Sequence, residues 1–186
     1  MLSGKPRLVV RPSLRHMTVQ LVKTKPKGDQ VLAAANSIEL IKKYGWLSDC
    51  GNLPAAYLTG LLAGQRALSK GFKEAVLDTD LRTPSKGSRL FTALKGAIDA
   101  GLKIQHNKEI LPDESRSHGE HIASYGKQLH SASPEIYQKR FAKYLARKLK
   151  PETLPEHFEK VKEKILKQTA EKPTSKGGKT VKKSAR

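Results

Sequence analysis

The chain has 186 residues, and 36 lysines and arginines against 17 aspartates and glutamates leave a net charge of +19. That length suits one domain with an extension, and a hydrophobic share of 37% is enough for one modest core. Self-repulsion on this scale opposes compaction unless a polyanion neutralises it, which points to nucleic acid, with an anionic membrane surface as the rival partner.

The charge is spread along the chain. Residues 1–104 hold 17 basic and 7 acidic side chains, and residues 105–186 hold 19 and 10. A detachable basic tail would concentrate the excess at one end, so the folded body itself must be electropositive. Cys50 is the only cysteine, which excludes an internal disulfide and a cysteine-based zinc site. No apolar run approaches the roughly 20 residues that span a bilayer, and the first ten residues lack a cleavage-site pattern. The expectation is a soluble intracellular protein.

In chain order, residues 7–11 read as a short strand stopped by Pro12. Residues 16–21 continue as a second strand, with Met17, Val19 and Leu21 on one face and His16, Thr18 and Gln20 on the other. The two make a hairpin whose turn carries Arg11, Arg15 and His16. Residues 23–28 form a lysine-rich turn with Lys25 and Lys27, and Val31 to Ala35 suit a third strand, although the alanines would also suit a helix. Asn36 with Glu39 has capping-box spacing for a helix ending before Gly45. Pro54, with Asn52 just ahead, opens a longer helix that stops near Gly71.

Ala75-Val-Leu77 has the pattern of a buried strand reached by a crossover. Ser88 is placed to cap a helix with Leu90, Phe91, Leu94, Ala97 and Ile98 on its apolar side, and residues 103–106 suit a last strand. The order β-β-β-α-α-β-α-β implies an α/β domain over 1–106, a mixed sheet with helices packed on it. Residues 107–170 form a mostly helical extension. It holds a short helix near 120–129, one from Pro134 to about Lys150, and one capped by Thr153 that carries Leu154, Phe158, Val161 and Ile165. Residues 171–186, with six basic side chains, one acid and almost nothing apolar, are expected to lack order without an anionic partner.

Three basic clusters could hold phosphate. Lys5, Arg7, Arg11, Arg15 and His16, with Ser13, lie on or near the hairpin turn, where guanidinium groups on a rigid base grip phosphates bidentately. Arg82-Thr-Pro-Ser-Lys-Gly-Ser-Arg89 lies between a strand and a helix, so Ser85, Lys86, Gly87 and Ser88 combine side-chain donors with free backbone N–H groups. The P-loop spacing is absent there, so an RNA backbone fits better than a nucleotide. Lys139, Lys143 and Arg147 recur every four residues and would share one helix face, with Tyr137, Phe141, Tyr144 and Leu145 opposite. Each cluster alone also fits a solvated surface; their recurrence gives them weight. Aromatic content of 5% argues against base stacking as the main mode and for a folded RNA gripped by its backbone.

Catalytic readings fail. His118-Gly-Glu-His121 lacks a third metal ligand. Asp78, Asp80 and Asp99 invite a magnesium-dependent nuclease, but the first strand of such a ribonuclease-H-like sheet must supply an acid, and here it offers Arg7 and Arg11. No Gly-x-Ser-x-Gly elbow is present. No cofactor, metal or small-molecule substrate is expected. A DNA-compacting protein is the alternative class, against which no recognition helix, minor-groove wedge or dimer heptad is visible.

The strings Arg7-Leu-Val-Val-Arg-Pro-Ser-Leu-Arg-His16, Gly51-Asn-Leu-Pro-Ala-Ala-Tyr-Leu-Thr-Gly60, Ala75-Val-Leu-Asp78 and Lys86-Gly-Ser-Arg-Leu-Phe-Thr-Ala-Leu-Lys-Gly-Ala-Ile-Asp-Ala-Gly101 resemble the family of large-subunit ribosomal protein eighteen. The resemblance runs from residue 5 to about 150. Leu111-Pro-Asp-Glu and Gly119-Glu-His-Ile bring the chain nearer to the archaeal and eukaryotic branch. The resemblance implies an α/β fold of the translational-machinery, ribonuclease-H-like type, on 5S rRNA in the central protuberance of the cytoplasmic ribosome. Arg11, Ser13, Arg15, His16, the Asn52 turn and the Lys86-Gly87-Ser88-Arg89 loop would touch 5S rRNA. The extension would reach 23S rRNA and neighbouring ribosomal proteins. Members of this branch carry a further arginine-rich segment before the first strand, and no residue here is assigned its role.

Overall fold

A computed structural model describes residues 4–170; the basic tail at 171–186, expected from its composition to lack order, lies outside the described residues. Among these residues five strands form one mixed sheet in the order β3-β2-β1-β4-β5. They are β1 (Arg7–Pro12), β2 (Met17–Lys25), β3 (Gly28–Asn36), β4 (Glu74–Asp78) and β5 (Lys103–Ile104). The first three pair antiparallel, while β4 runs parallel to β1 and β5 parallel to β4. Parallel neighbours require crossovers, and α2 (Leu53–Ser69) and α3 (Arg89–Asp99) supply them. This is the mixed α/β architecture that the element order implies.

Alternation sets which face is covered. Leu8, Val10, Met17, Val19 and Leu21 point to the helices and are essentially inaccessible. Both crossover helices pack on that one face. For this reason β4 is not buried on both sides as its composition suggests: Ala75 is covered, whereas Val76 on the opposite face is 46% exposed. The lysine-rich turn is also shorter than expected. Strand pairing continues through Lys25 and Gly28, so only Pro26 and Lys27 are left to connect β2 with β3. The alanines at 33–35 are strand residues because Ala33 and Ala35 fill the narrow space under α2.

α2 and α3 meet backbone to backbone. A Cβ on Gly60 would collide with the carbonyl oxygen of Ala93, and one on Gly96 with that of Tyr57. Glycine at both positions is what lets the helices approach this closely. The short helix α1 (Ser37–Tyr44) begins with the expected capping box: Asn36 Oδ1 accepts from Ile38 N at 2.9 Å and Glu39 accepts from Asn36 N at 3.2 Å. Gly45 ends it in the left-handed conformation, at φ 73°. Glu39 also takes a two-pronged ion pair from Arg66 of α2, at 3.0 and 2.7 Å, which holds its carboxyl down at about 2.

The extension contains α4 (Glu114–His118), α5 (Glu120–Ala132), α6 (Pro134–Arg140), α7 (Ala142–Ala146) and α8 (Leu154–Ala170). Leu154, Phe158, Val161 and Ile165 are buried as their spacing requires, and the Phe158 ring lies 5.4 Å from that of Tyr57. These side chains join the sheet and α2 in one continuous core. The helix expected from Pro134 to about Lys150 is broken. α6 stops at Arg140, and after α7 Lys148 turns at φ 58°. An unbroken helix burying Tyr137, Phe141 and Tyr144 would next bury Lys148. The turn sends Leu149 into the core instead.

Gly96→Ala should lower stability by about 3 kcal/mol, the upper part of the overpacking range, because α3 must move off α2; denaturant unfolding with an unchanged midpoint would contradict the close crossing. The Glu39 carboxyl titrates near 2 when folded against an ordinary 4.5, so its contribution is complete above about 4.5 and vanishes as pH falls toward 2. The melting-temperature gap between the parent and Glu39→Gln should therefore shrink over that acid window; a gap independent of pH would exclude the ion pair.

Candidate RNA interface

The loop between β1 and β2, residues 13–16, is closed by its own polar groups. Ser13 N donates to the His16 carbonyl at 2.8 Å, the Ser13 hydroxyl donates to the same oxygen at 3.0 Å, and His16 N donates back to that hydroxyl at 3.0 Å. Ser37 Oγ accepts from Met17 N at 2.9 Å and lies 3.3 Å from His16 Nδ1. The loop is thus fixed at its base. Leu14, 95% exposed, and Arg15 are left projecting from it.

The neighbouring loop, residues 46–52, is gripped from the extension. Trp46 is buried, stacks on His157 at 5.1 Å and donates from its indole nitrogen to the Asp49 carbonyl. Leu47 N donates to His157 Nε2 at 3.1 Å, so that nitrogen is unprotonated. Burial pushes the His157 pKa down, and Lys164 and Lys160 add to the effect. The Ser48 hydroxyl donates to Tyr144 Oη at 2.9 Å. Asn52 caps α2 by accepting from Ala55 N at 2.9 Å, and its amide nitrogen donates to Ser48 Oγ and Tyr144 Oη.

Between these two loops and α7 lies a groove of about 580 Å³. Arg15, His16, Asn52, Lys143 and Arg147 line it, so five residues singled out from three distant segments meet in one place. Arg82 and Arg89 stand beside it. Arg82 Nη2 donates to the Pro12 carbonyl at 2.7 Å, and Arg89 Nη1 to those of Ser13 and Gly51 at 2.8 and 3.2 Å. Arg147 Nη1 donates to the carbonyls of Ser48 and Leu47 at 2.9 and 3.3 Å. Arg15 and Lys143 make no side-chain hydrogen bond or ion pair among the described residues.

Other candidates are placed differently. Lys5 pairs with Glu74 at 2.9 Å, Arg7 with Asp78 and Asp29 at 2.6 and 2.7 Å, and Arg11 with Asp80 at 3.7 Å. Each of these cations already has a carboxylate partner, and two of those partners, Asp78 and Asp80, belong to the rejected nuclease reading. Lys25 and Lys27 are exposed at the far end of β2, roughly 26 Å from the groove at about 3.3 Å per strand residue. In the loop before α3, Ser85 and Lys86 are exposed, and Gly87, at φ 66°, donates its N–H to the Ile110 carbonyl. Ser88 occupies the cap position, yet its side chain makes no cap hydrogen bond. Because the helix breaks at Phe141, Lys139 does not share the groove with Lys143 and Arg147.

Sequence reasoning missed Ser48, Tyr144 and His157 as the groups that shape the groove. Their partners lie about a hundred positions away, and spacing along the chain carries no signal of that. His118 tilts against Phe158 at 4.8 Å, and no group of three metal-ligating side chains exists among the described residues. No described helix is long and apolar enough to cross a membrane.

Known proteins resemble this chain over most of its length. The family described as "Ribosomal large subunit proteins 60S L5, and 50S L18" matches residues 2–74 and 70–107. The "Large ribosomal subunit protein uL18" of Caldivirga maquilingensis is 54% identical over 169 residues, covering 91% of this chain and 82% of that protein. The proteins of the same name from Staphylothermus marinus and Aeropyrum pernix are 53% and 52% identical, over 89% and 94% of this chain and 82% and 83% of their own lengths. The chain belongs to this family of large-subunit ribosomal proteins.

Proposed function

We propose that this non-enzymatic protein of the large ribosomal subunit binds 5S rRNA and attaches it to 23S rRNA in the central protuberance. The observation that carries the reading is the groove that gathers Arg15, the Asn52 turn and Lys143 on a rigid base. Cations held at fixed spacing match the fixed phosphate spacing of a folded RNA, and pairing them releases condensed counterions. Lys86 is exposed on the loop before α3. The choice of 5S rRNA rests on the matched hairpin, Asn52 and Lys86–Arg89 segments. The cations outside the groove, among them Lys139, Lys25 and Lys27, lie on other surfaces that 23S rRNA or neighbouring ribosomal proteins would occupy.

Arg15→Ala with Lys143→Ala should weaken 5S rRNA binding and reduce its log–log salt slope by about 0.9 for each phosphate that is no longer neutralised. A slope equal to the parent's would remove both residues from the interface. In competition at moderate salt, 5S rRNA should displace duplex DNA; equal retention of both would favour the DNA-compacting alternative.

A further inference from the structure

Arg89 and Arg147 were singled out as phosphate-binding cations, but in the fold each turns one terminal nitrogen onto two main-chain carbonyls. Arg89 joins two separate loops, since Ser13 belongs to the β1–β2 connection and Gly51 to the turn before α2. Arg147 reaches from the extension to Leu47 and Ser48 of the second loop. Gly51 itself lies so close to the first loop that a Cβ there would stand 2.8 Å from the Leu14 carbonyl oxygen. Arg15 and Lys143, on the same groove, have no such inward attachment among the described residues.

We propose that Arg89 and Arg147 are positioning residues that lock loops 13–16 and 46–52 into one preformed platform, leaving the pairing of phosphate to Arg15 and Lys143. The inference rests on the RNA-binding reading above. Its physical basis is that a carbonyl orients a guanidinium without cancelling its charge. The platform therefore stays cationic while its geometry is settled before RNA arrives, and the ordering cost of binding falls.

The test compares full-length Arg89→Ala with Gly51→Ala, which separates the loops without changing charge, and with Arg15→Ala. Arg89→Ala and Gly51→Ala should each weaken 5S rRNA binding roughly tenfold, with the salt slope unchanged in Gly51→Ala and falling less in Arg89→Ala than in Arg15→Ala. Arg15→Ala should lower that slope by about 0.9. Amide hydrogen exchange of the free protein should quicken at residues 14–16 and 50–52 in Arg89→Ala, and at 47–49 in Arg147→Ala, but not through α8. An Arg89→Ala slope that falls as far as that of Arg15→Ala, or Gly51→Ala binding like the parent, overturns the proposal. If the parent protein fails to hold 5S rRNA, the RNA reading falls on its own; exchange still decides the tether, and unaltered protection in Arg89→Ala would refute it.

Discussion

Three arginines of this +19 chain are held by backbone carbonyls, which orient a guanidinium without cancelling its charge. Two kinds of arginine follow from this. Arg7, Arg11 and Arg66 lie on carboxylates, which neutralise them and tie strands and helices together, with Arg66 also donating to the Ala34 carbonyl. Arg82 lies on the carbonyl of Pro12 at the end of β1, and Arg89 and Arg147 lie on carbonyls of the two loops beside it, where the guanidinium keeps its full charge. The distribution of acids thus decides where the protein is electropositive. A count of basic residues along the chain does not.

The loops could not be held this way without the core behind them. The glycine crossing of α2 and α3 sets the distance between the Asn52 end of α2 and the Arg89 end of α3. Those two helix starts flank the hairpin loop, so a shift between the helices would move Gly51 and Arg89 apart. On the far side, α8 packs through Phe158 and Leu154 against α2 and brings His157 under Trp46. α3, through Arg89, and the extension, through His157, Tyr144 and Arg147, therefore hold the same loop.

Much of the fold was legible because its signals are local. The capping box at Asn36 and Glu39, the Asn52 cap, the alternation of Met17, Val19 and Leu21 and the stripe on α8 each depend on spacing within one element. The failures came where a distant partner overrode the local pattern. Val76 is exposed because both crossover helices chose the other face. The basic stripe at 139–147 broke because Leu149, rather than Lys148, had to reach the core. In the site, the residue types were readable but their attachments were not: nothing near Arg7 announces Asp29 and Asp78, and nothing near Arg89 announces the carbonyls of Ser13 and Gly51.

The same attachments occupy the acids at and just beyond the end of β4. Arg7 and Arg11 project from the first strand onto Asp78 and Asp80, at positions where a magnesium site would need negative charge to accumulate. Arg7 pairs with both Asp78 and Asp29, and Arg11 with Asp80, so each of these carboxylates has a cationic partner. The cations that would hold a phosphate backbone are displaced to the loop end, clear of those acids.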